Sequence, residues 1–415
     1  MKKLALVAAV GLALSGCGGS SGGNSSNGGS VTPPVTEPSV ASVTGSIEKI
    51  NGDQITVNGR PFTVESVKFN NTTLPNFTFT PDMTNMMVQV NTAEKASSAK
   101  VVLEPTMAGL VTYRNGTSFA VNGITLEYAE LSSDIAVGDW VFVSSLPTAN
   151  AGYKVLSVVE LDVVDEYPIL ADHYEIEGRI ASINTNEKMF VLGSNINVYY
   201  GNAHLLMGGL KVGQWVEVEG HTTGDFFTAT KVELDGYDLD DTFENSDIEG
   251  IITSVENLHT GKPSFSLNYR GSFETDSSTC YRLDDSYRCD SNLKSKLKRG
   301  VEVEVTSKYV LGQRIASIVE FDQPDWDDNE SIWQGNEFEC EGIANYDANT
   351  EIFTMQYCEN GADQPIANKT VVIDAQTRFE GVSQQYLDGR RVEVEGVIIN
   401  GQNIAREVEA EDHDD

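Results

Sequence analysis

The sequence predicts an all-β protein: a tandem array of five small five-stranded barrels behind an N-terminal leader and a flexible tether. Three observations carry this expectation. One strand is written four times, as IAVGDWVFVSS (Ile135–Ser145), LKVGQWVEVEG (Leu210–Gly220), LKRGVEVEVTS (Leu297–Ser307) and YLDGRRVEVEG (Tyr386–Gly396). A second motif opens each copy and a third closes it. Within each copy apolar and polar residues alternate with a period of two, which turns one face of a strand inward.

The leader comes first. MKKLALVAAVGLALSGCGG places Lys2 and Lys3 ahead of the apolar run Leu4–Leu14. That run is too short to span a bilayer as a helix and has the form of a secretory signal. It ends in Leu14-Ser15-Gly16-Cys17, which resembles the lipobox of bacterial lipoproteins. The resemblance implies cleavage before Cys17, a diacylglycerol on its sulfur and acylation of its new amine; the alternative is an ordinary signal with a chance cysteine. Residues 1–16 are thus read as a lipoprotein signal peptide and 17–42 as the lipidated cysteine with its linker. Two or three acyl chains anchor stably where one is marginal, each buried CH₂ contributing about 0.8 kcal/mol. Gly18 stands where lipoproteins retained at the inner membrane commonly carry Asp. The expected location is therefore the cell envelope, at the outer membrane, facing the periplasm or the surface. Gly, Ser, Asn, Thr and Pro dominate residues 18–42; they bury no core and suit a tether.

The repeats follow. The opening motif reads VTGSIEKI (Val43–Ile50), MAGLVTYR (Met107–Arg114), IEGRIASI (Ile176–Ile183), IEGIITSV (Ile248–Val255) and CEGIANYD (Cys340–Asp347). The closing motif reads SAKVVLEP (Ser98–Pro105), LSVVELD (Leu156–Asp162), ATKVELD (Ala229–Asp235), ASIVEFD (Ala316–Asp322) and AREVEAE (Ala405–Glu411). Recurrence at this scale marks an array of similar units, here 43–105, 106–165, 174–236, 246–323 and 337–411. The first unit hides its copy of the repeated strand in NMMVQVNT (Asn85–Thr92), with Asn85 where the others have Gly138, Gly213, Gly300 and Gly389. Asn tolerates a left-handed backbone better than other non-glycine residues, so that position is expected to be a tight turn entering the strand.

Five strands are expected per unit. ITVNG (Ile55–Gly59), FAVNG (Phe119–Gly123) and MFVLG (Met189–Gly193) are second strands, and INVYYGN (Ile196–Asn202) and TVVIDAQT (Thr370–Thr377) are third strands. A connector such as SNLKSKLKRG (Ser291–Gly300) has apolar spacing for about two helical turns. The fourth and fifth strands follow. This order resembles the OB-fold, a small five-stranded Greek-key barrel; an open meander packed on its neighbour is the alternative. Residues 43–411 also resemble bacterial lipoproteins built from tandem copies of a domain of unknown function, a resemblance that implies no catalytic residues. In Val216-Glu217-Val218-Glu219 the alternation sends both valines inward and both glutamates to water. Each fully buried valine contributes about 1.5–3 kcal/mol.

With Cys17 lipidated, Cys280, Cys289, Cys340 and Cys358 remain. CYRLDDSYRC (Cys280–Cys289) is nearly symmetric and folds as a hairpin with its cysteines opposed; Cys340 opens the first strand of the fifth unit and Cys358 ends the second. The expected disulfides are 280–289 and 340–358, in the oxidising environment that export supplies. A Cys₄ zinc site is disfavoured, since no C-x₂-C occurs.

The net charge is −34, from 62 acidic and 28 basic residues. That opposes nucleic acid as a partner. The histidines His173, His204, His221, His259 and His413 show no paired-ligand spacing. His259–Pro263 contains the Gly-Lys of a P-loop but places Glu256 at the first glycine's position and Pro263 where Ser or Thr is needed. No cofactor is expected, with Ca²⁺ as the one candidate: the acidic linkers 235–247 and 322–337 offer clustered carboxylates, among them Asp235, Asp238, Asp240 and Asp241, without an EF-hand pattern. Otherwise these linkers are spacers that keep barrels apart. Trp140 and Trp215 precede the inward Val141 and Val216, so alternation points both indoles away from their own core, toward a ligand or beneath a neighbouring barrel. Trp326 and Trp333 lie within the second linker and would pin it to a barrel face. OB barrels bind on strands two and three, which in the third unit include Tyr199 and Tyr200. The functional expectation is a non-enzymatic binding or scaffold protein of the cell envelope, held at the membrane by its lipid anchor, with a glycan or an envelope protein as partner. The alternative is a hydrolase of envelope polymers with a site between repeats.

Overall fold

A computed structural model describes residues 40–92, 98–193, 195–206, 209–223, 226–234, 236, 245–256, 262–283, 286, 288–311, 313–321, 337–360, 365–366 and 368–410. Cys17, the signal 1–16, most of the tether, Asp235, Asp238, Asp240 and Asp241, and Trp326 and Trp333 lie outside the described residues.

The strand pairings close into rings. Ser42–Asn51 pairs with Gln54–Val57, which pairs with Arg60–Phe69. Arg60–Phe69 runs parallel to Ser98–Leu103, which pairs with Met87–Thr92, and that strand returns to the first. The order first–second–third–fifth–fourth, with one parallel contact between third and fifth, is the OB topology. Tyr174–Asn184, Met189–Leu192, Ile196–Tyr199, Phe226–Leu234 and Trp215–Thr223 make the same circuit. So do Asn245–Glu256, Ser264–Leu267, Gly271–Glu274, Gln313–Phe321 and Glu302–Val310. In the ring nearest the C-terminus, Glu337–Ile343 continues as Asn345–Asp347, and the circuit runs through Ile352–Met355, Lys369–Val372, Gln402–Ala410 and Arg391–Ile399. Between residues 107 and 160 the set is open. Ile124–Glu127 and Tyr153–Glu160 share no ladder among the described residues, and the Tyr128 hydroxyl donates across that seam to the Leu156 carbonyl at 3.0 Å. The fold is thus all-β with closed five-stranded barrels.

Local sequence explains the closure. The repeated strand is entered through a left-handed residue everywhere: Gly138, Gly213, Gly300 and Gly389 have φ between 75° and 101°, and Asn85 has φ 67°. The second-to-third hairpins turn at Asn58-Gly59 and Asn122-Gly123, with positive φ at every position, the pattern of a tight two-residue turn. Those asparagines reach back onto the first strand. A Cβ on Gly45 would meet the Asn58 Oδ1 at 2.0 Å, and one on Gly109 would meet that of Asn122 at 2.2 Å. The opening glycine is therefore the seat of the turn's side chain. Two residues later the first strand of each of these sets bulges, at Ile47/Lys49 and Val111/Tyr113, and likewise at Ile180/Ser182 and Ile252/Ser254. A bulge bends and twists the strand, so its first half pairs with the fourth strand and its second half with the second. The connector at Ser291–Lys296 is a 3₁₀ segment capped by Asp290, tighter than an α-helix.

The valines of the repeated strand are inward, as expected: Val216, Val218, Val303, Val305, Val392 and Val394 are at most 1% exposed. Their glutamates are not simply in water. Glu217, Glu219, Glu302, Glu304, Glu393 and Glu395 are half-buried, because other barrels or rows of like charge cover them.

The barrels do not stand apart, which corrects the picture of spaced units; the described residues pack as one compact body. Nor do they follow chain order. The first strand of the first ring pairs in parallel with that of the fourth set, Ser42↔Ser246 to Thr44↔Ile248. The first strand of the second set pairs antiparallel with that of the third, Met107↔Ile176 and Ala108↔Glu175. In the C-terminal ring the equivalent edge of Phe338–Asn360 pairing is filled from within, by Tyr357–Asn360, itself paired with Pro365–Ile366. Cys340 and Cys358 oppose each other in that ladder and are bonded. The second disulfide joins Cys280 and Cys289.

Candidate functional site

Chemistry-bearing side chains converge on one strand, Tyr174–Asn184. Its inward residues Ile176 and Ile180 lie in the core it shares with residues 107–143. Its outward row, Glu175, Glu177 and Arg179, is nevertheless 3–4% exposed, since each side chain meets a different neighbour. Glu175 accepts from the Asn70 Nδ2 of the first ring at 2.9 Å. Glu177 accepts from the Arg270 Nη2 of the fourth set at 2.5 Å and from its own barrel's Trp215 Nε1 at 3.2 Å. Arg179 is ion-paired with the buried Asp374 of the C-terminal ring. The Glu177 N–H donates to the Thr106 carbonyl at 3.0 Å, joining the second set. One strand thus touches every other set.

Tyr269 completes the junction from the fourth set. It follows Asn268 where the first two sets have the glycine of Asn-Gly, yet keeps the left-handed turn with φ 58°. Its ring stacks on Trp215 at 5.8 Å and 2°. The Arg406 guanidinium lies 5.7 Å from its centroid, a cation–π arrangement. Its hydroxyl donates to the Ala149 carbonyl. Arg406 in turn bonds the Asp374 Oδ1 at 3.2 Å, so Asp374 holds two arginines. Tyr153 donates to the Glu177 carbonyl at 2.6 Å.

Burial sets the electrostatics. It pushes Glu175 well above the usual carboxylate range, with the Glu177 charge adding to it, and it raises both Tyr153 and Tyr269. A related joint lies between the first ring and the fourth set. There Arg60 pairs with the fully buried Asp247 at 3.0 Å. Burial, and then the Asp247 carboxylate, push Glu304 up to about 10, so it stays protonated beside its neighbour. Such groups join surfaces: the Glu177 and Asp374 carboxylates are bonded to arginines and almost inaccessible.

The ligand-contact candidates fall as follows. Trp215 is fully buried at the junction. Trp140 points away from its own core, as alternation requires, but is buried in that of the first ring, edge-on to Phe142, whose ring lies 4.8 Å from Phe69. Beneath a neighbour, the second of the two placements that alternation allows, is where both indoles sit. Tyr200 belongs to the core, 5.8 Å from Phe190, and Tyr199 is half-buried. Glu217, Glu219 and Glu233 cluster closely enough to hold a cation, but the Lys231 ammonium lies among them, 2.8 Å from Glu219. Sequence reading missed Glu175, Arg179, Tyr269, Asp374 and Arg406. One signal for them was legible: a tyrosine replaces glycine in a recurring Asn-Gly turn.

A family model described as "Domain of unknown function (DUF5666)" matches residues 177–233 and 365–409. These spans include Glu177, Arg179, Trp215, Asp374 and Arg406 of the junction. No curated protein matches the chain. Similar solved structures include residues 10–88 of CusF with Ag(I) from Escherichia coli, at 15% identity and TM-score 0.16, covering 19% of this chain and 96% of that one. Drosophila Unr CSD456 is another, at 15% identity and TM-score 0.14, covering 57% of this chain and 97% of that one. The fold assignment rests on the strand pairings themselves.

Proposed function

We propose that this chain is a non-enzymatic scaffold or binding protein of the cell envelope, anchored through a lipid on Cys17 and built from five copies of one barrel at 43–105, 106–165, 174–236, 246–323 and 337–411. The observation that carries the scaffold reading is the junction. Glu175, Glu177 and Arg179 are buried and paired across barrels, Arg179 with Asp374, and Arg406 of that same ring bonds Asp374 and lies over Tyr269 of the fourth set, which makes several small domains one rigid support. Rigid support favours binding, because little ordering entropy is lost when a partner docks. The Leu14–Cys17 motif supports the anchor, and the acidic surface supports an envelope protein or glycan as ligand over nucleic acid.

Growth with an alkyne-tagged palmitate tests the anchor. The wild-type chain takes up the label and sediments with membranes, whereas Cys17→Ser does neither. A Cys17→Ser protein that still sediments with membranes after a salt wash overturns the anchoring. Chemical crosslinking in intact cells followed by a glycan array separates protein from sugar as the ligand class.

A further inference from the structure

The outward face of the first strand is covered in four of the sets. Three residues before the opening glycine stand Ser42, Thr106, Glu175 and Asp247, at most 3% exposed. In the C-terminal ring the same position, Glu339, is exposed, as is Glu341 after it. Ile343 is 61% exposed and Tyr357, opposite Glu341 in the ladder, is 73% exposed. One residue after the opening glycine, where Arg179 and Ile251 are buried and Leu110 is 36% exposed, this ring has Ile343, so a large aliphatic and a large aromatic side chain meet water side by side.

The surroundings state what would fit. Glu339, Glu395 and Glu407 lie directly opposite one another on three adjacent strands, as do Glu341, Glu393 and Glu409. Like charges so placed are destabilising. Burial, then Glu339 and other neighbouring carboxylates, push Glu393 up to about 7. Several covered acids meet an arginine from the neighbouring set: Asp247 meets Arg60, Glu177 meets Arg270, and Glu337 and Glu395, at the rim of this same face, meet Arg299 of the fourth set, while Glu175 meets Asn70. A second copy of the chain would bring more carboxylates to such a face.

We propose that the outer face around Ile343 and Tyr357 is a docking surface for an arginine-bearing polypeptide, which seats apolar side chains on those two residues and its guanidinium groups on the glutamate rows. This rests on the binding reading above and is independent of the anchor. The probe is a synthetic twelve-residue peptide of alternating Arg and Val, titrated calorimetrically into the detergent-purified full chain at physiological salt. The expected result is saturable binding, weakened at least tenfold by Ile343→Ser with Tyr357→Ala. Binding is unchanged by Asp82→Asn with Asp134→Asn, two exposed carboxylates elsewhere. Near-ultraviolet dichroism checks that each variant is folded. Equal affinity for the Ile343/Tyr357 variant overturns the proposal, since charge alone would then account for binding. Displacement of the peptide by a neutral oligosaccharide overturns it in favour of a sugar face. A dimer in sedimentation equilibrium that the same variant dissociates overturns it in favour of self-association. Loss of membrane anchoring in Cys17→Ser leaves all these readouts in place.

Discussion

Tyr269 occupies a backbone conformation that asparagine and glycine adopt more readily, and its contacts explain why it stays there. Truncating a buried aromatic costs about 3–5 kcal/mol, while relief of the left-handed strain returns about 1–2 kcal/mol. Tyr269→Gly is therefore expected to lower stability by about 2 kcal/mol in urea unfolding. Tyr269→Phe, which loses one hydrogen bond, is expected to cost about 1 kcal/mol. A neutral or stabilising Tyr269→Gly would show that the stack on Trp215 contributes little. Asp374 is the more demanding position. Its removal strands two guanidinium groups, Arg179 at 3% and Arg406 at 1% exposure. Breaking a buried pair from one side costs about 3–5 kcal/mol, and Asp374→Ala is expected to fall in that range. Glu341→Ala, at an exposed pair, is expected to change stability by less than about 1 kcal/mol.

Among the elements, the repeated strand shows how far its own pattern reaches. The period of two settled which way Val216, Val303 and Val392 point, because that depends only on local pleating. The turn at Asn85 was legible for the same reason. The fate of the alternating glutamates was not, since it depends on strands far away in sequence: Glu393 lies between Glu341 and Glu409, while Glu304 lies between Glu249 and Glu320. These placements give a pH dependence. Burial with like-charged neighbours pushes Glu393 and Glu407 up to about 7 in the fold from 4.5. The folded state therefore holds protons that the unfolded chain has released, and stability falls as pH rises from about 4.5 to about 7. The melting temperature is expected to be higher at pH 5 than at pH 8. That difference should shrink in Glu393→Gln with Glu407→Gln, and in high salt. An unchanged difference in the double variant would assign the effect to other carboxylates.

For the whole molecule, chain order and spatial order differ. The ring topology could be read along the sequence, because the order of strands and turns repeats within each closed ring. Which ring meets which could not. A row such as Glu175, Glu177 and Arg179 reads the same whether it faces water or three different neighbours, and Asp374 lies 195 residues from Arg179. The contacts that define the junction are thus of long sequence separation, and assembly of the body is expected to be slower than closure of any one barrel.

The hairpin bonded through Cys340 and Cys358 finishes the sheet to which it belongs. Elsewhere the corresponding border recruits a strand from another barrel, as Ser42–Thr44 does with Ser246–Ile248. The covalent latch therefore ties the strand that occupies this border to the first strand of its ring. Under thiol reductant, or in Cys340→Ser with Cys358→Ser, the hairpin can peel away and molecules can concatenate through the bared border. Light scattering should then grow with concentration in the reduced sample and stay flat in the oxidised one; equal traces would mean that the flap stays seated without its bond.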